Sequence, residues 1–280
     1  MLVTRQINGE RLVLFGWTRA ILLQIGHPLI AAGVAQHSTF RVGPLAPLFR
    51  LHSTVRAMRA ITFGDRQAQR IALSGIDAIH HRVHGELSEA VGPYPKGTRY
   101  SATDPSLLLW VHATLLESVV ITYELLVGPL APAEKDACCA ESAWSAIELG
   151  ADAASVPHTW LALERYLAAE HESGRVVVGP EARALAATLL SPPGGWIAWP
   201  AIAMNRTLTI GLLPDRLRKG YGWCWSAADE RRFRRLVGGL AWMRRWLPAR
   251  LAWWPERRRP VVTVGQEQKD PGGNSRQGLV

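Results

Sequence analysis

Between Asp104-Pro105 and Gly128-Pro129 the sequence carries one long apolar helical segment, and this constrains the fold more than anything else in the chain. Asp104 can cap a helix with its carboxylate, and Pro105 suits the first helical position, where no backbone N–H is required. Leu108, Val111, His112, Leu115, Val119 and Tyr123 recur at three- and four-residue spacing and so share a face. A helix this apolar has to be covered by other elements. The partners on offer are helices, because helical periodicity recurs over 11–26, 29–38, 45–62, 66–89, 105–127, 132–150, 157–172, 180–190, 197–210 and 227–246. Strand signals are almost absent, and the best alternating run, Val176 to Val178, is too short to found a sheet. The expected class is all-α.

A chain of 280 residues with 48% apolar content can bury a sizeable core. No internal repeat is visible. The expected organisation is a lead-in helix over 1–19, one helical domain over 20–250 and a disordered tail over 260–280, where apolar periodicity gives way to Gly, Gln and Asn. Loops are marked by Gly43-Pro44, by residues 92–97 and by residues 191–195.

The net charge of +9 is concentrated in one segment. Residues 216–259 hold 13 Lys and Arg against 3 Asp and Glu, which leaves the remainder at −1. Within it, Arg231, Arg232, Arg234, Arg235, Arg244, Arg245 and Arg257 to Arg259 are interleaved with Trp242, Trp246, Trp253 and Trp254. Such a mixture over 231–259 suits peripheral contact with an anionic membrane, although a solvated helix face is the plainer reading. No nucleic-acid reading motif accompanies the charge, so no specific nucleic-acid partner is expected.

No signal peptide is visible. The apolar stretch Leu12 to Ile25 is broken by Arg19 and Gln24 and followed by Pro28, which marks a core helix rather than a membrane span. The three cysteines, Cys138, Cys139 and Cys224, form neither a disulfide framework nor a metal spacing. A cytoplasmic location is expected, with a place at the inner membrane face if the basic segment binds lipid.

Nine histidines are present, six of them between Gly26 and His84. His27 precedes Pro28, where capping is a sufficient role. His52 and His81 are expected at the surface, and His158 and His171 on helices. His80 and His112 differ, since each interrupts an otherwise apolar face; Leu73, Ile76, His80, Val83 and Leu87 define the first of these. A hydrogen-bonded core histidine is the plain explanation, and an iron ligand in a dry pocket is the alternative. His80 and His84 would stand one turn apart on a helix as a two-histidine arm, but His81 occupies the place where zincins carry their glutamate. Arg50 and Thr54, also four apart, are either a solvated face or an anion-holding pair such as a propionate would use.

Four blocks, in order, resemble the rubber-oxygenase catalytic domain family, which includes latex-clearing proteins and the oxygenase of mycophenolic acid biosynthesis. The first runs from Gly26-His27-Pro28 to Gln36-His37-Ser38. The second is Arg50-Leu51-His52-Ser53-Thr54, followed by Thr62-Phe63-Gly64-Asp65. The third runs from Ile76 to Gly85 and contains His80, and the fourth joins Tyr100 to Pro105 with Leu108 to Thr114. The resemblance spans roughly residues 20–245. It implies a globin-like helical core, haem b with a single proximal histidine, dioxygen as co-substrate and a lipophilic substrate. By position, His80 matches the iron ligand, Arg50 and Thr54 match residues beside the haem, and His112 matches a further histidine, either a neighbour that supports the ligand or the alternative ligand itself. Rubber-cleaving members carry a lysine just before the threonine, where this chain has Ser53, so the resemblance implies a smaller substrate, such as an alkene or isoprenoid. Two other classes stay open: a haem-binding helical protein without turnover, and a structural helical protein at a membrane surface.

Overall fold

Helix α6 (Pro105–Leu126) forms the axis of the molecule. Residues 2–37, 46–191 and 199–258 are described in the structure, a computed structural model, and thirteen α-helices lie within them. Asp104 caps α6 as its sequence requires, its Oδ1 accepting from the amides of Ser106 at 2.8 Å and Leu107 at 3.4 Å. By length and composition α6 could cross a membrane, yet 67% of its most apolar window is buried inside the protein, as in a core helix.

Three small polar residues, Thr114, Ser118 and Thr122, run along one side of α6 and are completely buried. Each hydroxyl donates to the carbonyl four residues earlier, at 2.6–2.7 Å, so none is left unsatisfied. Their small size lets α2 (Leu14–Ile25) approach closely. At the crossing, a Cβ on Gly16 would lie 2.6 Å from the Ser118 carbonyl oxygen. Arg19, the charge inside this core helix, is 3% exposed and fully engaged: it pairs with Glu117 at 2.9 Å and donates to the Ser118 hydroxyl and the Leu212 carbonyl.

Around this pair, α1 (Val3–Asn8) is capped from a distance by Glu141 of α7 (Pro132–Glu148), which accepts from the amides of Val3 and Thr4. The chain turns by 106° into α3 (Pro28–His37), which packs on α9 (Pro180–Leu190). Proline at the head of α3 disfavours helical backbone in the residue before it, which sets this corner. α8 (Trp160–Glu172) packs on α6 and α7, and the short α11 (Asp215–Gly220) precedes α12 (Ala227–Trp246). α10 (Trp199–Leu212) packs on α12, where the Phe233 ring fills the space over Gly211. The last helix is α13 (Ala249–Ala252).

The all-α expectation holds, with three corrections. Helix α5 (Arg66–His80) stops at His80 rather than running to 89, so Val83 and Leu87 are not on its face. Residues 84–86 (β1) instead pair antiparallel with residues 99–101 (β2), a small sheet the sequence pattern does not announce. His158 precedes α8 and is not helical. The loop expectations at Gly43-Pro44 and 192–195, and the tail over 260–280, lie outside the described residues.

Candidate functional site

The corner between α4 (Ala46–Phe63) and α5 is built by Gly64 and Asp65. A Cβ on Gly64 would lie 2.4 Å from the Ala60 carbonyl oxygen, so the turn excludes any larger residue. Asp65 then caps α5, accepting from the Ala68 amide at 2.8 Å. Val55, Met58 and Thr62 of α4 line a cleft against Trp17 of α2, closed at one side by Trp254. Helix α5 packs on α4 with Leu73 buried and with Ile76 and His80 half-buried at the spacing of the same face. Its Ile71 and Ile79 are 64% and 55% exposed, so apolar surface on this helix remains uncovered.

His80 ends α5, and its carbonyl accepts from the Val83 amide. The ring Nδ1 is buried and has no hydrogen-bond partner among the described residues. Burial holds the imidazole pKa below its ordinary value; nearby Asp77 opposes this and His81 adds to it. The ring is therefore neutral at pH 7, with a lone pair available to a metal. His84 lies on β1 and not on α5, so the two-histidine arm does not form, and the His84 carbonyl is bound instead by His37 Nε2 at 2.9 Å. Among the described residues no three His, Cys, Asp or Glu side chains converge on a metal position.

His112 lies on α6. Its Nε2 is buried without a partner among the described residues, and burial lowers its pKa to about 4. Thr54 is exposed on α4, and Arg50 belongs to the same helix one turn earlier, its side chain outside the described residues. The pairing of α4 with α5 brings the Arg50–Thr54 helix beside the His80 helix, while His112 is carried separately by the central α6.

His27 stands at the head of α3, where its carbonyl accepts from the Ile30 and Ala31 amides, while its ring turns elsewhere. It is 4% exposed, its Nε2 shares a 3.0 Å hydrogen bond with the Tyr94 hydroxyl, and its Nδ1 is unpartnered among the described residues. Burial and the charge of Arg175 lower its pKa to about 4. The partner sits in the 92–97 loop, 67 residues away, and no local pattern points to it.

Comparison with known proteins places these blocks. The family described as "ER-bound oxygenase mpaB/B'/Rubber oxygenase, catalytic domain" matches residues 4–242. Two uncharacterised proteins, Mb2261 of Mycobacterium bovis and Rv2237 of Mycobacterium tuberculosis, are each 27% identical over 241 residues, covering 83% of this chain and 89% of the relative. No solved structure matches. With the match running from α1 to α12 and through every block that carries the candidate histidines, the chain belongs to the mpaB and rubber-oxygenase family and carries its oxygenase catalytic domain.

Proposed function

We propose that this oxygenase domain holds haem b through His80 and oxidises a small lipophilic substrate with dioxygen. The observation that carries the reading is the His80 ring: neutral, half-buried, with a buried nitrogen that no described residue satisfies. A buried polar atom without a partner is costly, and one at a candidate ligand position fits a group that completes the site. When bound, haem b supplies dioxygen binding and one-electron chemistry. The chain's own contribution is to orient the ligand imidazole at the end of α5, to offer Thr54 as a hydroxyl donor and Arg50 as a cation for a propionate, and to exclude water with apolar walls.

His112 supports a second ligand assignment, because its Nε2 is equally unpartnered. The two are separable. Protein made with a haem precursor should show a Soret band and about one haem per chain by pyridine haemochrome. His80→Ala should abolish the band and His112→Ala should keep it; the reverse pattern moves the ligand to His112. A chain that stays colourless and refuses added haemin removes the haem reading. Oxygen consumption with a reductant and candidate alkenes then separates an enzyme from a haem carrier.

A further inference from the structure

The basic segment is not uniformly basic once folded. Arg244 and Arg257 point inward to Glu10, Arg234 pairs with Glu230 at 2.6 Å, and Arg218 is shared between Asp215 and the Trp225 ring. Arg231, Arg235, Arg245 and Arg250 are exposed and have no ion-pair partner among the described residues. The free charge is thus on the outer side of α12 and on α13.

The same side carries tryptophans that the fold does not use. Trp242 and Trp246 are 64% and 74% exposed, one turn apart, with ring centroids 6.4 Å from each other. Counting back at helical spacing from Trp242 leads to Gly238, Arg235 and Arg231, so cations and indoles form one stripe. Gly211 of α10 faces Phe233 of α12, and Met204 and Leu208 pack in a cluster with Leu236, Val237 and Leu240. The two helices therefore run antiparallel, and the start of α10, with Trp199 67% exposed, lies alongside the end of α12. Leu251 of α13 is 52% exposed, just beyond that end.

We infer that this face is a docking surface for an anionic lipid bilayer. Indole rings settle at headgroup depth, with an apolar body and a polar N–H, and guanidinium groups find lipid phosphates beside them. Exposed apolar surface of this kind is costly in water, and the unpaired arginines around it select a partner of negative charge. The inference stands on surface residues and not on the haem reading, so each can fail without the other.

The test uses the full chain with vesicles of phosphatidylglycerol and phosphatidylcholine in equal parts, and with phosphatidylcholine alone. The protein should sediment with the anionic vesicles, release as salt rises, and lose tryptophan fluorescence to brominated lipid. Arg235→Gln with Arg245→Gln should lower partitioning by about 30-fold, roughly five-fold per cation. Trp242→Ala with Trp246→Ala should weaken binding and remove most of the quenching, with circular dichroism unchanged in both double variants. No sedimentation at low salt, or binding unmoved by both pairs, would overturn the inference. So would a dimer that the tryptophan pair dissolves, which assigns the face to a second copy, or duplex DNA that competes the vesicles away.

Discussion

The carboxylate of Glu10, 1% exposed, accepts two parallel hydrogen bonds of 2.8 Å from Arg244, which lies 234 residues further along the chain. Arg257 and the Trp253 indole donate to the same carboxylate. The backbone joins these ends too, with the Trp254 amide donating to the Gly9 carbonyl at 3.0 Å. The Trp254 ring meets the guanidinium groups of both Arg11 and Arg59, at 4.8 and 4.7 Å, and Arg59 pairs with Glu256. One buried acid thus fastens the end of the helical domain to its beginning, and Arg59 ties the same end to α4.

Removing that acid should be expensive. Glu10→Ala leaves two nearly buried arginines and an indole without their acceptor, and a broken buried pair costs about 3–5 kcal/mol. Arg244→Ala should cost less, because Arg257 and Trp253 still hold the carboxylate. Urea midpoints at constant slope report both. A loss under about 1 kcal/mol for Glu10→Ala, the range of exposed pairs, would show that the tie contributes little.

His27 makes stability depend on pH. Its pKa is about 4 in the folded chain and 6.5 when unperturbed. Above pH 6.5 the ring is neutral in both states and imposes no penalty. As pH falls from 6.5 towards 4 the unfolded chain takes up a proton that the folded chain refuses, so stability declines, by roughly 3 kcal/mol in full. His27→Gln, which can keep a hydrogen bond to Tyr94, should remove His27's share of that decline in urea titrations of the haem-free protein, leaving the share of His112, whose folded pKa is also about 4. An unchanged slope would mean that His27 is not the group responsible.

Much of this architecture is legible in the sequence, and the exceptions have physical causes. Asp104-Pro105 states its helix start chemically, and α6 begins there. The overrun of α5 to 89 arose because Val83 and Leu87 continue the apolar spacing after the helix has ended. Their burial is tertiary: Leu87 packs with Ala32 of α3 and Tyr100 of β2, and Val83 packs against the same cluster. The stripe of Thr114, Ser118 and Thr122 was readable at four-residue spacing, but only α2 lying against it gives it meaning. Arg19 looked like an interruption and is satisfied by partners 98–193 residues away. Glu10 and the His27–Tyr94 pair carry no local signature at all, because each is defined by a partner distant in sequence. His80 and His112 are legible as polar breaks in apolar faces, and each ring has a buried nitrogen with no partner among the described residues.

The Asp104 cap offers a smaller, local check. Asp104→Ala should cost about 1 kcal/mol, with Asn at the same position nearly neutral, since either carboxylate or amide oxygen can accept from the first-turn amides. A thermal midpoint indifferent to Asp104→Ala would indicate that packing alone fixes the start of α6.

Glycines on two helices should respond in opposite directions to the same substitution. Alanine is favoured over glycine inside a helix by about 1 kcal/mol, so without neighbours each change should stabilise. On α12, Gly238 and Gly239 have nothing within 4 Å of the space a Cβ would fill, and alanine there should raise stability by up to that amount. On α2, the same Cβ at Gly16 would sit 2.4 Å from the Thr122 hydroxyl and 2.6 Å from the Ser118 carbonyl oxygen. Backbone oxygen cannot rotate aside, so α2 and α6 must separate, and overpacking of this kind costs about 1–3 kcal/mol. Separation would also strain the Arg19 pair with Glu117, three residues along the same helix. Gly16→Ala should therefore lower the urea midpoint while Gly238→Ala and Gly239→Ala raise it. A Gly16→Ala variant as stable as the parent would mean that α2 and α6 do not meet as closely as the Ser118 contact requires.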